Sequence, residues 1–301
     1  MYKIEMKVFD CIPFFDEKMI LDLRLNILDQ YVDYFVIVEQ SYTHSGRKKK
    51  KFFNIDDYPK FKKKIRYYYL EDEPKNLISI NEIDKKHAGH QRINSLKRIG
   101  LQYNKLMDGL GDAQPDDIII VGDCDEIPNL SQVNFETIKN DIILFKQKIY
   151  YYKFNLLHEG LDWFGNKACK KKDFISPEWL KYVKNKQYPL WRVDTFFSKT
   201  KYTNVKIIEK GGWHFTNIKS DKEIYYKLMN YGEHNEFELS NISQEDIKRL
   251  IEKNQLYFNH SADKSEANKY NSKIKLVKVS NDVLPDFIKD NYDKYEEWFE
   301  N

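Results

Sequence analysis

The chain has 301 residues, enough for one large α/β domain or two small ones with ample core. Hydrophobic residues make up 41% and charged residues 32%, a balance that excludes a disordered polypeptide. With 50 basic and 47 acidic groups the formal net charge is only +3, so charge gives no reason to expect a nucleic-acid partner. The densest basic run, residues 47–51, reads as a solvated loop. Cys11, Cys124 and Cys169 form an odd set without metal-ligand spacing, which points to reduced thiols and a cytoplasmic setting. No segment approaches about 18 consecutive apolar residues and the N-terminus lacks an apolar signal core, so no membrane span is expected.

In chain order, residues 7–13 are predicted as a strand carrying Asp10, and Asp16 and Glu17 open a leucine-rich helix running to about residue 30. Residues 33–39 are a second buried strand ending on Glu39. Strand, helix, strand at this spacing predicts a right-handed parallel crossover. A polar loop follows at 41–46, then a third strand at 65–70. Residues 84–110 are the longest predicted helix. Its apolar stripe, Ile93, Leu96, Ile99, Tyr103, Leu106 and Leu110, is expected on the sheet, with Arg92 and Arg98 off the stripe.

The segment 116–128 is the most informative. An acidic turn leads into Ile118-Ile119-Ile120-Val121, then Gly122 and three carboxylates within four positions: Asp123, Asp125 and Glu126. An apolar run so bounded reads as a strand buried on both faces of a parallel sheet, whose ligands bind beyond the strand ends. Side chains two apart in an extended chain point the same way, so Asp123 and Asp125 face one cation while Cys124 turns inward. Paired carboxylates repel unless neutralised, and a hard divalent ion shared with phosphate oxygens does that. The alternative is a solvated acidic turn.

Beyond Pro128, residues 141–154 read as one extended stretch or a bent pair of strands. Residues 156–191 read as loops with a short helix at 178–183. The aromatic residues there suit either packing or a sugar-binding cleft. Gly211-Gly212 permits a tight turn and brings His214 forward beside Trp213. Helices are expected at 221–231 and 243–254, and a docked amphipathic helix at 285–301. No repeat or linker divides the chain, which predicts a single α/β domain over 1–301. Its first half would cover about 1–130 and its second about 131–301.

The opening 8–39, the Thr43-His44-Ser45-Gly46-Arg47-Lys48 loop, Pro115-Asp116-Asp117, Asp123 to Pro128 and Gly211-Gly212-Trp213-His214-Phe215 together resemble glycosyltransferase family seventeen, the bisecting-type β-1,4-mannosyl-glycoprotein β-1,4-N-acetylglucosaminyltransferases. The resemblance spans roughly residues 7–240. It implies a GT-A-like, Rossmann-like fold with a mostly parallel sheet covered by helices and a helical C-terminus. It also implies inverting, metal-dependent transfer of N-acetylglucosamine from UDP-GlcNAc, manganese or magnesium assisting, onto a glycan or glycoconjugate acceptor. Asp125, Asp123 and His214 are the expected metal residues. Asp123, Asp125, Arg92, Glu39 and Asp10 are the expected donor-binding residues. The base that activates the acceptor hydroxyl is expected after the metal strand, at Glu236, Asp194 or Asp162. A metal-dependent phosphohydrolase or nucleotidyltransferase, and a catalytically silent carbohydrate-binding protein, are the alternative readings.

Overall fold

The computed structural model describes residues 6–80, 87–260, 269–270 and 272–300. It starts with the β-branched runs the sequence shows. Strand β1 (Val8–Phe14), helix α1 (Lys18–Leu28), strand β2 (Tyr34–Gln40), strand β3 (Ile65–Leu70), helix α2 (His87–Lys105) and strand β4 (Ile118–Val121) follow in turn. Among these, β3, β2, β1 and β4 lie side by side in that order, every pair parallel. Strand order therefore reverses between β1 and β4, and the crevice beyond their carboxyl ends is where doubly wound sheets bind ligands. The chain leaves β4 straight into the Asp123–Glu126 turn, so the three carboxylates lie at that crevice.

Helix α1 covers one face with Ile20, Leu21, Leu23, Leu25 and Leu28, all buried. On the other face, Tyr103, Leu106 and Leu110 pack on Phe9, Val36, Val38 and Ile119, and Leu106 to Leu110 continue α2 as a 3-10 turn. The N-terminal half of α2 departs from the expected stripe. Ile93 and Leu96 are exposed, and Asn94, Arg98 and Gln102 are buried instead. These polar side chains serve main-chain groups: Asn94 bridges the N–H and C=O of Ile78 (both 2.8 Å), and Gln102 donates to the carbonyl of Val38 (2.9 Å). Buried backbone that lacks a ladder partner needs such a donor or acceptor, and here that requirement outweighs hydrophobic periodicity. The expected start of this helix at 84–86 lies outside the described residues.

The second half of the chain adds β5 (Glu126–Pro128), β6 (Ile142–Phe145), β7 (Gln147–Tyr151), β8 (Leu156–Trp163), β9 (Lys167–Lys170), α3 (Pro177–Tyr182), β10 (Val205–Ile208), β11 (Gly212–Thr216), α4 (Asp221–Leu228), α5 (His234–Leu239), α6 (Gln244–Glu252), β12 (Val277–Lys278), α7 (Asp286–Asp290) and α8 (Tyr292–Tyr295). Strand β9 pairs antiparallel with both β4 and β6 and extends the first sheet, which ends on β10. The remaining strands form a second sheet in the order β12, β8, β7, β11, β5. The extended stretch at 141–154 is thus a bent pair whose halves join different sheets. Residues 156–170, expected as loop, form β8 and β9, because cross-strand partners outweigh their weak periodicity. The tail is two short helices and a 3-10 turn, broken at Asn291, with Lys294 paired to Asp22 (2.9 Å). Among the described residues no helix is long and apolar enough to cross a membrane.

Candidate functional site

The crevice is assembled by one antiparallel register. Strand β11 pairs with β5 so that His214 lies opposite Glu126, and the Phe215 N–H donates to the Asp125 carbonyl (2.8 Å). Gly212 makes this approach possible. It holds φ at +126°, and a β-carbon there would run into the carbonyl of Ile127. The result brings His214 Nε2 within 3.5 Å of Asp125 Oδ1. The His214 ring packs tilted against Trp163, centroids 5.0 Å apart, and its buried Nδ1 has no hydrogen-bond partner.

Two lysines serve the three acidic groups beyond β4. Lys227 of α4 lies 3.2 Å from Asp125 Oδ2 and 4.0 Å from Glu17. Burial would raise the Asp125 pKa, but the charges of Lys227 and His214 hold it far below the usual carboxylate range. Lys181, at the end of α3, lies 2.8 Å from Asp123 Oδ2 and 3.1 Å from Glu126. The Tyr103 hydroxyl donates to the other Asp123 oxygen. Burial works against ionisation of Asp123 too, and Lys181 overrides it, so this pKa is also lowered. Both carboxylates are therefore anions at neutral pH. Glu126 accepts from the Asp123 N–H (2.6 Å) and from the Trp163 indole (2.7 Å), which fixes the turn.

A fully buried ion pair supports this turn from below. Arg24 grips Asp10 with two hydrogen bonds (2.7 and 2.6 Å), and its Nη1 donates to the carbonyls of Asp123 (3.0 Å) and Glu126. Lys167 on β9 donates to the carbonyls of Lys181 (2.7 Å) and Val183, holding the end of α3 that presents Lys181. Burial, and then the charge of Lys181, pulls its pKa down to about 7.

The structure brings Asp123, Asp125 and His214 to one place and sends the other expected residues elsewhere. Asp10 is sealed under the turn by Arg24. Glu39 is equally sealed: it accepts from Lys49, from the N–H groups of Phe52 (2.8 Å) and Phe53 (3.0 Å), and from the Tyr67 hydroxyl (2.9 Å). Neither offers a donor substrate a free oxygen, so both organise the fold. Arg92 is paired with Glu233 at 2.5 Å. The three base candidates are each held by cations. Glu236 pairs with Lys269, Asp194 with Arg192 (2.7 Å) and Lys201 (2.6 Å), and Asp162 with Lys148 (2.8 Å) and Lys146 (3.0 Å). Among the described residues none of the three shares a hydrogen bond or ion pair with Asp123, Asp125 or His214. Asp162 misses because strand side chains alternate: its neighbour Trp163 is the one that meets the site.

Sequence reasoning overlooked Lys181, Lys227 and Arg24. Arg24 left a signal, since a lone arginine between Leu23 and Leu25 on a helix with few exposed positions demands a buried partner. The Thr43–Gly46 loop reaches the same region, with Ser45 Oγ 3.2 Å from Asn230 Oδ1 just past α4 and the His44 carbonyl accepting from Arg98 (3.3 Å).

The strand order is consistent with a Rossmann-like sheet and puts the acidic turn at its crevice, and the model of "Glycosyltransferase family 17" matches residues 1–298. The chain belongs to glycosyltransferase family 17. Membership makes it a transferase and implies a nucleotide-sugar donor and a glycan acceptor. No curated protein matches it. Among the described residues no group of three or more His, Cys, Asp or Glu side chains is placed to hold a metal ion, and the pair that could offer a divalent ion side-chain donors at this crevice of the family 17 chain is Asp125 Oδ1 with His214 Nε2. The other Asp125 oxygen is balanced by Lys227, and Asp123 is occupied by Tyr103 and Lys181. One carboxylate and one imidazole fit an ion whose remaining positions go to substrate oxygens and water.

Proposed function

We propose that this enzyme has a GT-A-type fold and transfers N-acetylglucosamine from UDP-GlcNAc to a glycan acceptor with inversion and the help of a divalent metal. The approach of His214 to Asp125 at the strand-order reversal supports this reading, because an oxygen and a nitrogen donor at that crevice would suit a metal shared with a diphosphate. Asp125 and His214 would hold such a metal, which would supply positive charge opposite the charge that develops on the diphosphate as UDP leaves. The protein's own part is to keep that place anionic and rigid. Lys227 and Lys181 hold Asp125 and Asp123 ionised, Arg24 fixes the turn from below, and Trp163 fixes both Glu126 and the His214 ring. Asp123, with its oxygens already accepting hydrogen bonds, is suited to contact the ribose or a metal-bound water. Arg92 would have to leave Glu233 to reach a phosphate. Imidazole ligation favours manganese over magnesium.

Calorimetric titration of UDP with and without manganese tests the proposal. Manganese should tighten UDP binding in the wild type. His214→Ala should weaken manganese at least about tenfold while changing UDP binding measured without metal by less. Equal UDP affinity in manganese and in EDTA would remove the metal from the mechanism.

A further inference from the structure

The loop that follows α3 is built inside out. Its base is closed by main-chain bonds from Lys184 to Thr200 (2.8 Å) and from Tyr188 to Tyr202 (2.9 Å), and the Trp179 indole fastens it to α3 through the Lys199 carbonyl (2.5 Å). Its polar side chains turn to one another. Arg192 and Lys201 both grip Asp194, and Lys186, Arg192 and Lys201 surround the buried Tyr188 ring at 4.9, 5.6 and 5.8 Å. The large apolar side chains face water instead: Leu190 is 82% exposed, Trp191 76%, Val193 66%, Phe196 80% and Phe197 87%. Scattered exposed apolar residues are ordinary, but five within eight positions on an internally braced loop mark an interaction surface.

The charge around this tip selects the partner. Residues 184–204 carry five basic side chains and one carboxylate, Asp194. Two copies meeting tip to tip would set these cations against each other. Tryptophan, phenylalanine and leucine beside Lys184, Lys186 and Lys199, exposed and not engaged by Asp194, instead match the interfacial zone of a bilayer. There, rings and aliphatic groups enter at headgroup depth while long basic side chains reach lipid phosphates. We propose that this loop docks the protein on a membrane surface rich in anionic lipids, with residues 190–197 inserted at headgroup level. Lys181, which holds Asp123 and Glu126, precedes the loop by a few residues.

Co-sedimentation of the full chain with vesicles tests this, comparing pure phosphatidylcholine with a mixture one-third phosphatidylglycerol at about 0.1 M salt. Binding should require the anionic lipid and weaken as salt rises. Replacing Leu190, Trp191, Phe196 and Phe197 together by serine should weaken binding by about tenfold or more, with melting temperature and UDP affinity unchanged. Lys186→Glu and Lys199→Glu should each cost about fivefold or more. The proposal is overturned if the wild type stays in the supernatant with both vesicle types, as an acidic protein partner would imply. It is equally overturned if the serine variant binds as the wild type does. Concentration-dependent dimerisation without vesicle binding, abolished in that variant, would reassign the loop to self-association.

Discussion

Asp10 sits in the first half of β1 and Glu39 near the carboxyl end of β2, while Asp123 and Asp125 lie just past β4, yet these carboxylates of neighbouring parallel strands meet opposite fates. The first two are fully buried, each matched to a buried cation and satisfied by further donors, and their surroundings leave no oxygen for a substrate. The second two face the crevice, and their cations, Lys181 and Lys227, come from the later, helical part of the chain. A sealed pair is part of the fold because removing one partner strands the other charge in a low-dielectric interior. A pair at a crevice keeps its charge available. A carboxylate carried by this sheet is therefore structural or functional according to what closes over it.

The contrast predicts which property each substitution damages. Arg24→Met should have the largest effect, lowering unfolding free energy by about 3–5 kcal/mol, since Asp10 is left charged and buried and the turn loses its support. Urea denaturation measures it, and a loss under about 1 kcal/mol would mean that the pair is not sealed. Asp125→Asn should act the other way round. Transfer should fall about a thousandfold or more, while stability drops by less than half the Arg24 effect, because Lys227 keeps Glu17 nearby. Paired activity and denaturation data that ranked the two variants identically would erase the distinction.

Lys167 sits between the two classes, buried but matched only to carbonyls. With its folded pKa near 7 and the unfolded value near 10.4, the unfolded state binds the extra proton between these limits. Stability contributed by this group therefore rises from about pH 7 to about pH 10, by at most about 1.4 kcal/mol per pH unit. Lys167→Met should flatten that rise, whatever it does to stability at neutral pH. Denaturation curves across the range check it, and an unchanged slope would place the lysine's titration elsewhere. The smallest effect is expected at Glu236. Its carboxylate is taken by Lys269, so Glu236→Gln should change transfer less than about threefold, and loss of transfer with intact UDP binding would restore it as the base.

Much of this fold was legible in the chain. The runs 8–14, 34–40 and 118–121 are apolar and β-branched, helical spacing separates the first two, and the carboxylates at 123, 125 and 126 follow a buried strand directly. Local periodicity and turn chemistry act over a few residues and leave their mark wherever they operate. The glycine pair before His214 was readable for the same reason. What sequence could not show depends on residues distant along the chain. The buried polar face of α2 exists because carbonyls of Phe14 and Val38 need a donor there. Strands β8 and β9 exist because β7, β4 and β6 offer edges to pair with. Lys181 and Lys227 meet their carboxylates across separations of 58 and 102 residues, and no local pattern distinguishes either from other helix lysines. The sequence by itself determined where negative charge gathers past the end of β4. Only the tertiary structure decided which of those charges are closed in and which stay open, because burial and Coulomb attraction depend on distance in space, not on separation along the chain.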